Sequence, residues 1–352
     1  MTTNNIIYTT PAQQLQKLKQ QGLIIPDEEF AEAQLRSCGY SNLIKSYREP
    51  YTFLQNGKKI YRSGVSFNQI YSLYLLDNRL RSSVMAAMLD LEEHVKEATA
   101  NVVAASFGVH PDDYLEFKNY RDRKKSNSNF TLGQILNTMK QALNSNKEPI
   151  LHYRTTYQLV PPWILFKSIY FSTIANFINL FKGKEQEALA LQLYDATELK
   201  LSPDALRKLM TDTLFICLEY RNLVAHGGRT YNYNCSSRLR ASEIFSLPLT
   251  PMPGFSQLLF LLSLLNYQKP FEQLQAVLQE EVDRHCRMFP EDVTYLGQVL
   301  NINIVPQQVV FVSGKSKKYH SNPHCSGIMN VFEIEQEQAI ANGYIPCRRC
   351  NP

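Results

Sequence analysis

The stretch FNQIYSLYLLDNRLRSSVMAAMLDLEEHVKEATANVVAA, residues 67–105, decides the fold class. Its apolar residues recur mostly at steps of three and four and mark one face of a helix: Ile70, Leu73, Tyr74, Leu76, Leu80, Val84, Met88, Leu91 and Val95. Similar helical patterns occupy 11–35, 132–143, 162–181, 185–193, 203–223, 255–267 and 270–288. The sequence therefore predicts a mainly α protein.

The regions outside these helical patterns predict the domain organisation. Residues 39–64 alternate aromatic and polar side chains around Asn56-Gly57, which predicts short extended pieces or a hairpin. Residues 298–312 change to β-branched, extended character, so a boundary is expected near 300–307. We expect a helical domain over 1–300, with an N-terminal extension over about 1–65, and a small α+β module over 307–352.

Composition excludes several classes of protein. The chain has 352 residues, of which 44% are apolar and 20% charged, so it is not a disordered or collagen-like protein. The formal net charge of +5 permits nucleic-acid binding without indicating it. No export signal opens the chain, and its most apolar run, 255–265, is too short to span a bilayer. A cytoplasmic protein without a membrane partner is predicted.

The segment LEYRNLVAHGGR, residues 218–229, sets an arginine and a histidine at the end of a helical pattern. Histidine can exchange a proton near neutral pH, and arginine is a permanently charged clamp for phosphate. Arg221 and His226 are five positions apart, about 140° on a straight helix, so their convergence requires the helix to end or bend between them. Alternatively, His226 caps the helix and Arg221 forms a salt bridge with Glu219 or with a neighbouring helix.

Arg221 to His226 resembles the R-x4–6-H signature of the HEPN superfamily, and a wider set of segments resembles the Abi-like abortive-infection proteins of bacteria. These segments are GLIIPD (22–27), FNQIYSLY (67–74), DNRLR (77–81), LEEHV (91–95), PWIL (162–165) and the region 221–232. Together they cover about residues 10–235, roughly two-thirds of the chain.

This resemblance implies a HEPN-type helical bundle that works as a homodimer with two Arg/His pairs facing each other. It also implies phage resistance through toxin-like cleavage of RNA without a catalytic metal. The positions that match are Arg221 and His226 as the catalytic pair, with Asn222 as a supporting polar residue. Arg229 and Asn232 lie where they could contact RNA, with surface salt bridges as the alternative.

Two acidic residues of the long helical pattern are candidates to orient the arginine. Glu92 or Glu93 would hold Arg221 from the earlier helix, and a solvated helix face is the alternative for both.

The last residues of the chain predict a structural zinc site. Cys347 and Cys350 form a C-x2-C pair, and His320 with Cys325 completes a tetrahedral set. His324 competes with His320 for the nitrogen position. The segment resembles the metal-binding module of the Ada DNA-repair protein, and free or redox-active thiols are the alternative. Nearby basic side chains could hold nucleic acid: Lys315, Lys317, Lys318, Arg348 and Arg349.

These patterns lead to one principal functional hypothesis and two competitors. The first is a metal-independent endoribonuclease of phage defence, with RNA as substrate. The second is a non-catalytic RNA- or DNA-binding regulatory protein in which Arg221 and His226 only grip nucleic acid. A zinc-dependent DNA-repair factor is the third, suggested by the tail alone. A regulatory RNA or protein partner is left open.

Overall fold

The computed structural model describes residues 7–122, 130–245, 254–304, 309–314, 316–325 and 331–350. The helices are Pro11–Gln20 (α1), Glu28–Cys38 (α2), Phe67–Phe107 (α3), Pro111–Tyr114 (α4), Leu132–Leu143 (α5), Ile150–His152 (α6), Pro162–Leu165 (α7), Phe171–Asn179 (α8), Gly183–Leu193 (α9), Ala196–Leu199 (α10), Pro203–Ala225 (α11), Ala241–Phe245 (α12), Phe255–Ser263 (α13), Lys269–Met288 (α14), Val293–Leu300 (α15) and Gln336–Ala341 (α16). The strands are Thr52–Gln55 (β1), Lys58–Tyr61 (β2), Val309–Ser313 (β3), Ser316–His320 (β4), Val331–Glu335 (β5) and Ile345–Pro346 (β6). A mainly α fold with a small C-terminal α+β module is confirmed.

Helix α3 is the central element that positions the candidate site. It begins where the Ser66 hydroxyl accepts a hydrogen bond from the Gln69 amide, and it ends at Gly108, whose φ is +88°. The apolar face predicted from the sequence is buried along the helix. Helices α7, α8, α9 and α11 pack against α3.

Two other regions differ in how well the sequence predicted them. Strands β1 and β2 form an antiparallel hairpin that turns at Asn56-Gly57, as the turn residues predicted. The helical pattern of 162–181 is wrong as a single helix, because it divides into α7, a 3-10 turn at Phe166–Ser168, and α8. Ile169 and Tyr170 are extended between them, which redirects the chain before α8 begins.

The described residues group into two compact units. One is drawn from Met1–Glu281 and Gln298–Ile302, the other from Val282–Gly297 and Asn303–Pro352. The domains predicted from the sequence, 1–300 and 307–352, stay a prediction. Among the residues described here, no helix is long and apolar enough to cross a membrane.

The second unit contains a four-stranded sheet in the order β5-β3-β4-β6. Strand β3 pairs antiparallel with β4 and β5, while β4 and β6 run parallel. Its core is small, with Val310, Val312, Tyr319 and Ala339 buried together. So few apolar side chains supply little folding free energy by burial, which leaves a role for a further stabilising interaction.

Candidate active site and metal centre

Helix α11 ends in a glycine turn that leaves His226 at the first position beyond the helix. Ala225 is the last helical residue, and the His226 amide donates to the Asn222 carbonyl at 3.2 Å. Gly227 follows with a φ of +70°, in the left-handed region that costs other residues free energy. The imidazole of His226 is exposed at this end of the helix.

A Schellman motif closes the turn. The Gly228 amide donates to the Leu223 carbonyl at 2.9 Å, and the Gly227 amide donates to the Val224 carbonyl at 3.1 Å. A Cβ atom on Gly228 would lie 2.9 Å from Leu223 Cγ, so a larger residue would push the turn apart. Both glycines are therefore required, one for its backbone angle and the other for close packing.

The structure places Arg221 within α11 and His226 at the first position beyond it. The helix therefore ends between the two residues, at Ala225, as their convergence within one chain would require. Within the described part of the chain, no hydrogen bond or ion pair joins their side chains. Each chain therefore brings the two residues to the same end of α11 without bonding their side chains to each other.

Arg221 lies beside a carboxylate of α3 and forms an ion pair with it, without a hydrogen bond between Nε and that carboxylate. Its Nε lies 3.8 Å from Glu92 Oε2, and the other Glu92 oxygen, Oε1, forms an ion pair with Lys96 Nζ at 2.7 Å. Glu92 is 8% exposed, whereas Glu93 on the same turn is exposed. Of the two acids predicted to orient Arg221, the structure places Glu92 beside it.

Of the two salt bridges given as the alternative role of Arg221, the one with a neighbouring helix is present, through Glu92 of α3, and the one with Glu219 is not found among the described residues. The Glu219 carboxylate instead accepts hydrogen bonds from the Tyr233 hydroxyl at 2.6 Å, from the amide and hydroxyl of Ser236, and from the Ser237 amide. Burial raises the pKa of Glu219, but these donors outweigh it and lower that pKa to about 2. Glu219 therefore fixes the chain that follows the candidate site.

A buried aspartate anchors the segment beyond the glycine turn. Asp77 on α3 is fully buried and accepts hydrogen bonds from the Thr230 and Tyr231 amides at 2.8 Å each. The Tyr47 hydroxyl donates to its second oxygen at 2.5 Å. Burial raises the pKa of Asp77, although these three hydrogen bonds oppose the shift. The chain leaving α11 is thereby tied to α3.

Two arginines tighten the same turn. Arg81, one helical turn after Asp77, donates from Nη1 to the Gly227 carbonyl at 3.0 Å and from Nη2 to Asn78 Oδ1 at 2.5 Å. Arg229 donates to the Ser46 carbonyl. This contact gives Arg229 a structural partner in addition to its predicted role in RNA binding.

The two remaining predicted site residues lie on either side of the glycine turn. Asn222 is exposed on the last turn of α11, next to Arg221 in sequence. Asn232 is half-buried beyond Tyr231. Their assignment to catalysis and to RNA binding stays a prediction.

Replacement of Asp77 by alanine should destabilise the first unit by about 3 kcal/mol or more. Two buried amides and the Tyr47 hydroxyl would lose their acceptor, and each unpaired buried group costs about 1–3 kcal/mol. Urea unfolding followed by circular dichroism measures the change. The exposed Ser82→Ala on the same helix is the control and should cost under about 0.5 kcal/mol. Equal stabilities of the two variants would contradict this role of Asp77.

The C-terminal unit brings the predicted metal ligands together. The ligand atoms of His320, Cys325, Cys347 and Cys350 all lie within 4.8 Å of one another. His320 Nδ1 is 3.6 Å from Cys350 Sγ, close to the separation of two ligands on one tetrahedral ion. These four residues could hold a metal ion, with three sulfur atoms and one nitrogen as donors.

The backbone around this group explains its geometry. His320 is the last residue of β4, and the Cys347 amide donates to the Tyr319 carbonyl at 2.9 Å, which continues the parallel pairing of β4 and β6. Burial raises the pKa of Cys350, but donors that include the Asn322 and Ser321 amides lower it to about 6. Amide donors to a sulfur favour the thiolate, the form that binds metals.

The structure distinguishes between the two histidines that compete for the nitrogen position. His320 is 7% exposed within the group, whereas His324 is exposed and lies outside it. Lys317, Lys318 and Arg348 are exposed around the module. Lys315 lies outside the described residues.

Sequence reasoning missed the roles of Asp77 and Arg81 and of Glu219. All three bind backbone groups of the chain that follows α11, and two of them act across more than a hundred residues of sequence. One signal was available, because Asp77 interrupts the apolar face of α3 between Leu73 and Leu80. A charged residue at a core-facing position indicates a specific polar partner.

Comparison with known proteins identifies the family of the chain. A family model described as Abi-like protein matches residues 33–232, more than half of the chain, and this range includes α3, α11 and the glycine turn. No curated protein and no solved structure matched the chain. The chain therefore belongs to the family of Abi-like proteins, and this membership suggests an abortive-infection protein of phage defence.

Proposed function

We propose that the protein is a metal-independent endoribonuclease of an abortive-infection system. The observation that carries the proposal is the rigid end of α11, where His226 is exposed while α3 holds the turn through Asp77 and Arg81. Exposure makes the imidazole accessible to a substrate, and the hydrogen bonds from α3 fix the backbone that follows it. Such a combination of access and rigidity is typical of catalytic groups.

The reaction follows from the two side chains. The ribose 2′-oxygen attacks the adjacent phosphorus, the bond from phosphorus to the 5′-oxygen breaks, and a 2′,3′-cyclic phosphate forms. A base must take the 2′-hydroxyl proton and an acid must give one to the leaving 5′-oxygen, which suits histidine. Arg221 stabilises the charge that builds on the phosphate oxygens, and Glu92 keeps its guanidinium in place.

A homodimer completes the proposed site. One histidine per chain cannot both take and give a proton in the same step, whereas two copies of His226 across a twofold axis can divide the two tasks. The resemblance to HEPN proteins implies the same assembly. Sedimentation of the active enzyme should give twice the 40.5 kDa mass of one chain, and an active monomer would contradict the dimer.

The nature of the products tests the proposal most directly. Purified protein incubated with total RNA and an excess of chelator should yield fragments with 2′,3′-cyclic phosphate and 5′-hydroxyl ends. DNA of the same sequence should survive because it lacks the attacking hydroxyl. Cleavage that requires magnesium and leaves 5′-phosphates would assign the reaction to a different site.

The alternative is a regulatory protein that binds RNA or DNA without cutting it. The exposed lysines and arginine of the C-terminal module favour this reading, because phosphate contacts by such side chains supply much of nucleic-acid affinity. Salt-dependent binding with intact RNA at every time point would support it. A regulatory RNA or protein that silences the chain is compatible with both functions.

The C-terminal ligand group is proposed to bind one structural zinc ion. Three sulfurs and a nitrogen are the donors that zinc prefers, and the four protein ligands leave no open position for catalysis. The small core of the module makes such an ion a main source of its folding free energy. Zinc therefore supplies stability to the tail, and the cleavage chemistry is assigned to residues of α11.

A further inference from the structure

A cavity of about 510 Å³ lies against α3 on the side of Glu92. Leu89 of α3 forms one wall, and Trp163 of α7 and the buried Phe166 form others. Its volume is within the range of pockets that bind small molecules, roughly 300–1,000 Å³. The cavity is therefore large enough for a planar ring such as a nucleobase.

The apolar surfaces of this cavity are open to a ligand. Leu89 is 48% exposed, a large fraction for a leucine in the middle of a packed helix. Trp163 is half-buried and is the one tryptophan of the sequence. Aromatic side chains of this kind stack on bases, with each stacked base contributing about 1–3 kcal/mol.

Charged side chains surround the apolar walls. Lys167 is exposed and supplies positive charge, Lys96 is paired with Glu92, and Glu93 and Glu97 are exposed carboxylates one helical turn apart. Carboxylates accept hydrogen bonds from the exocyclic amino groups of bases, while Lys167 can approach phosphate. The rim therefore complements a base that carries an amino group and is followed by a phosphate.

Glu92 connects the cavity to the candidate active site. It lines the cavity, and its Oε2 atom lies 3.8 Å from Arg221 Nε. A base in the cavity would thus stand one side chain away from the arginine proposed to hold the scissile phosphate.

We propose that this cavity is a nucleobase subsite, in which Trp163 stacks on a base next to the cleaved bond. Glu93 and Glu97 favour adenine, cytosine or guanine over uracil, because these three bases donate from an exocyclic amino group whereas uracil can donate only from its ring N3. This inference rests on the proposed ribonuclease function for its substrate. Its test, however, measures base binding separately from cleavage.

The lone tryptophan provides the measurement. The full chain is titrated with short 2′-O-methyl oligoribonucleotides, which cannot be cleaved by 2′-hydroxyl attack, and Trp163 fluorescence is recorded. Oligo(A) and oligo(C) should quench the emission saturably. Oligo(U) should bind at least about ten-fold more weakly, because it loses the hydrogen bonds of the base in the cavity. An abasic oligomer should not quench.

Matched variants separate the subsite from general effects. Leu89→Asp places a charge on an exposed wall and should weaken oligo(A) binding about ten-fold. Leu191→Asp is the control, since Leu191 is 51% exposed on α9 and lies outside the cavity lining. In cleavage assays Trp163→Ala should raise KM with little change in kcat. Trp163→Phe, which keeps an aromatic ring, should have a KM close to that of the wild type.

The outcomes are distinct. Quenching without any cleavage would keep the subsite and overturn the ribonuclease. Cleavage without quenching, or equal quenching by the abasic oligomer, would overturn the subsite and keep the ribonuclease. Emission that changes only with protein concentration would mean that a second copy of the chain covers the cavity, and this too would overturn the inference.

Discussion

A chain in which His226 is replaced by alanine should cleave RNA at least about 10²–10⁴-fold more slowly than the wild type. General acid–base catalysis contributes a factor of this size, and alanine can neither take nor give the proton. The measurement is the initial rate on a labelled RNA in the presence of chelator. Folding should be preserved because the imidazole is exposed and makes no side-chain hydrogen bond in the described structure.

Two further variants complete this test. His110→Ala removes another exposed histidine, at the start of α4, and should leave the rate unchanged. Arg221→Lys should lose cleavage activity as His226→Ala does, because lysine keeps the charge but lacks the planar guanidinium and the Nε that faces Glu92. Wild-type rates for either site variant would mean that α11 does not carry the reaction.

Substitution of Cys347 by serine should remove the metal and unfold the C-terminal module. Zinc binding to structural sites contributes roughly 10–16 kcal/mol of apparent free energy, far more than the small core of this sheet can replace. Metal analysis of freshly purified, reduced wild type should give about one zinc per chain. Limited proteolysis should then digest the tail of the variant while the helical residues of the first unit stay protected.

The two histidines of the tail provide a matched pair for the same experiment. His320→Ala should lose the metal, since its Nδ1 lies 3.6 Å from Cys350 Sγ. His324→Ala should keep it, because His324 lies outside the ligand group. Wild-type protein without zinc, or equal zinc in both variants, would contradict the site.

Local signals in the sequence predicted most helices and the hairpin. The period of α3 located it within two residues of its observed end, and Asn56-Gly57 marked the turn between β1 and β2. The break in the segment after Pro162 could not be predicted, because its apolar run continues through Ile169 and Tyr170, which are extended in the structure. Periodicity describes one face of a helix and carries no information about where tertiary packing bends the chain.

The metal ligands could be predicted because their spacing in sequence is itself the signal. Cys347 and Cys350 are close enough to grip one ion, and β4 brings His320 to them. The support of His226 could not be predicted in the same way. Asp77 and Arg81 act on partners that are far away in sequence, and single-sequence patterns do not report such pairs.

The anchoring of the glycine turn by α3 has a consequence for protein synthesis. Arg81 and Gly227 are 146 positions apart, and Asp77 and Tyr231 are 154 apart, so these hydrogen bonds each close a long loop of the chain. Closing such loops costs conformational entropy and makes folding slow. A nascent chain that has not yet passed Tyr231 cannot form both backbone hydrogen bonds to Asp77. The segment that follows His226 is therefore fixed to α3 only after most of the protein has been synthesised.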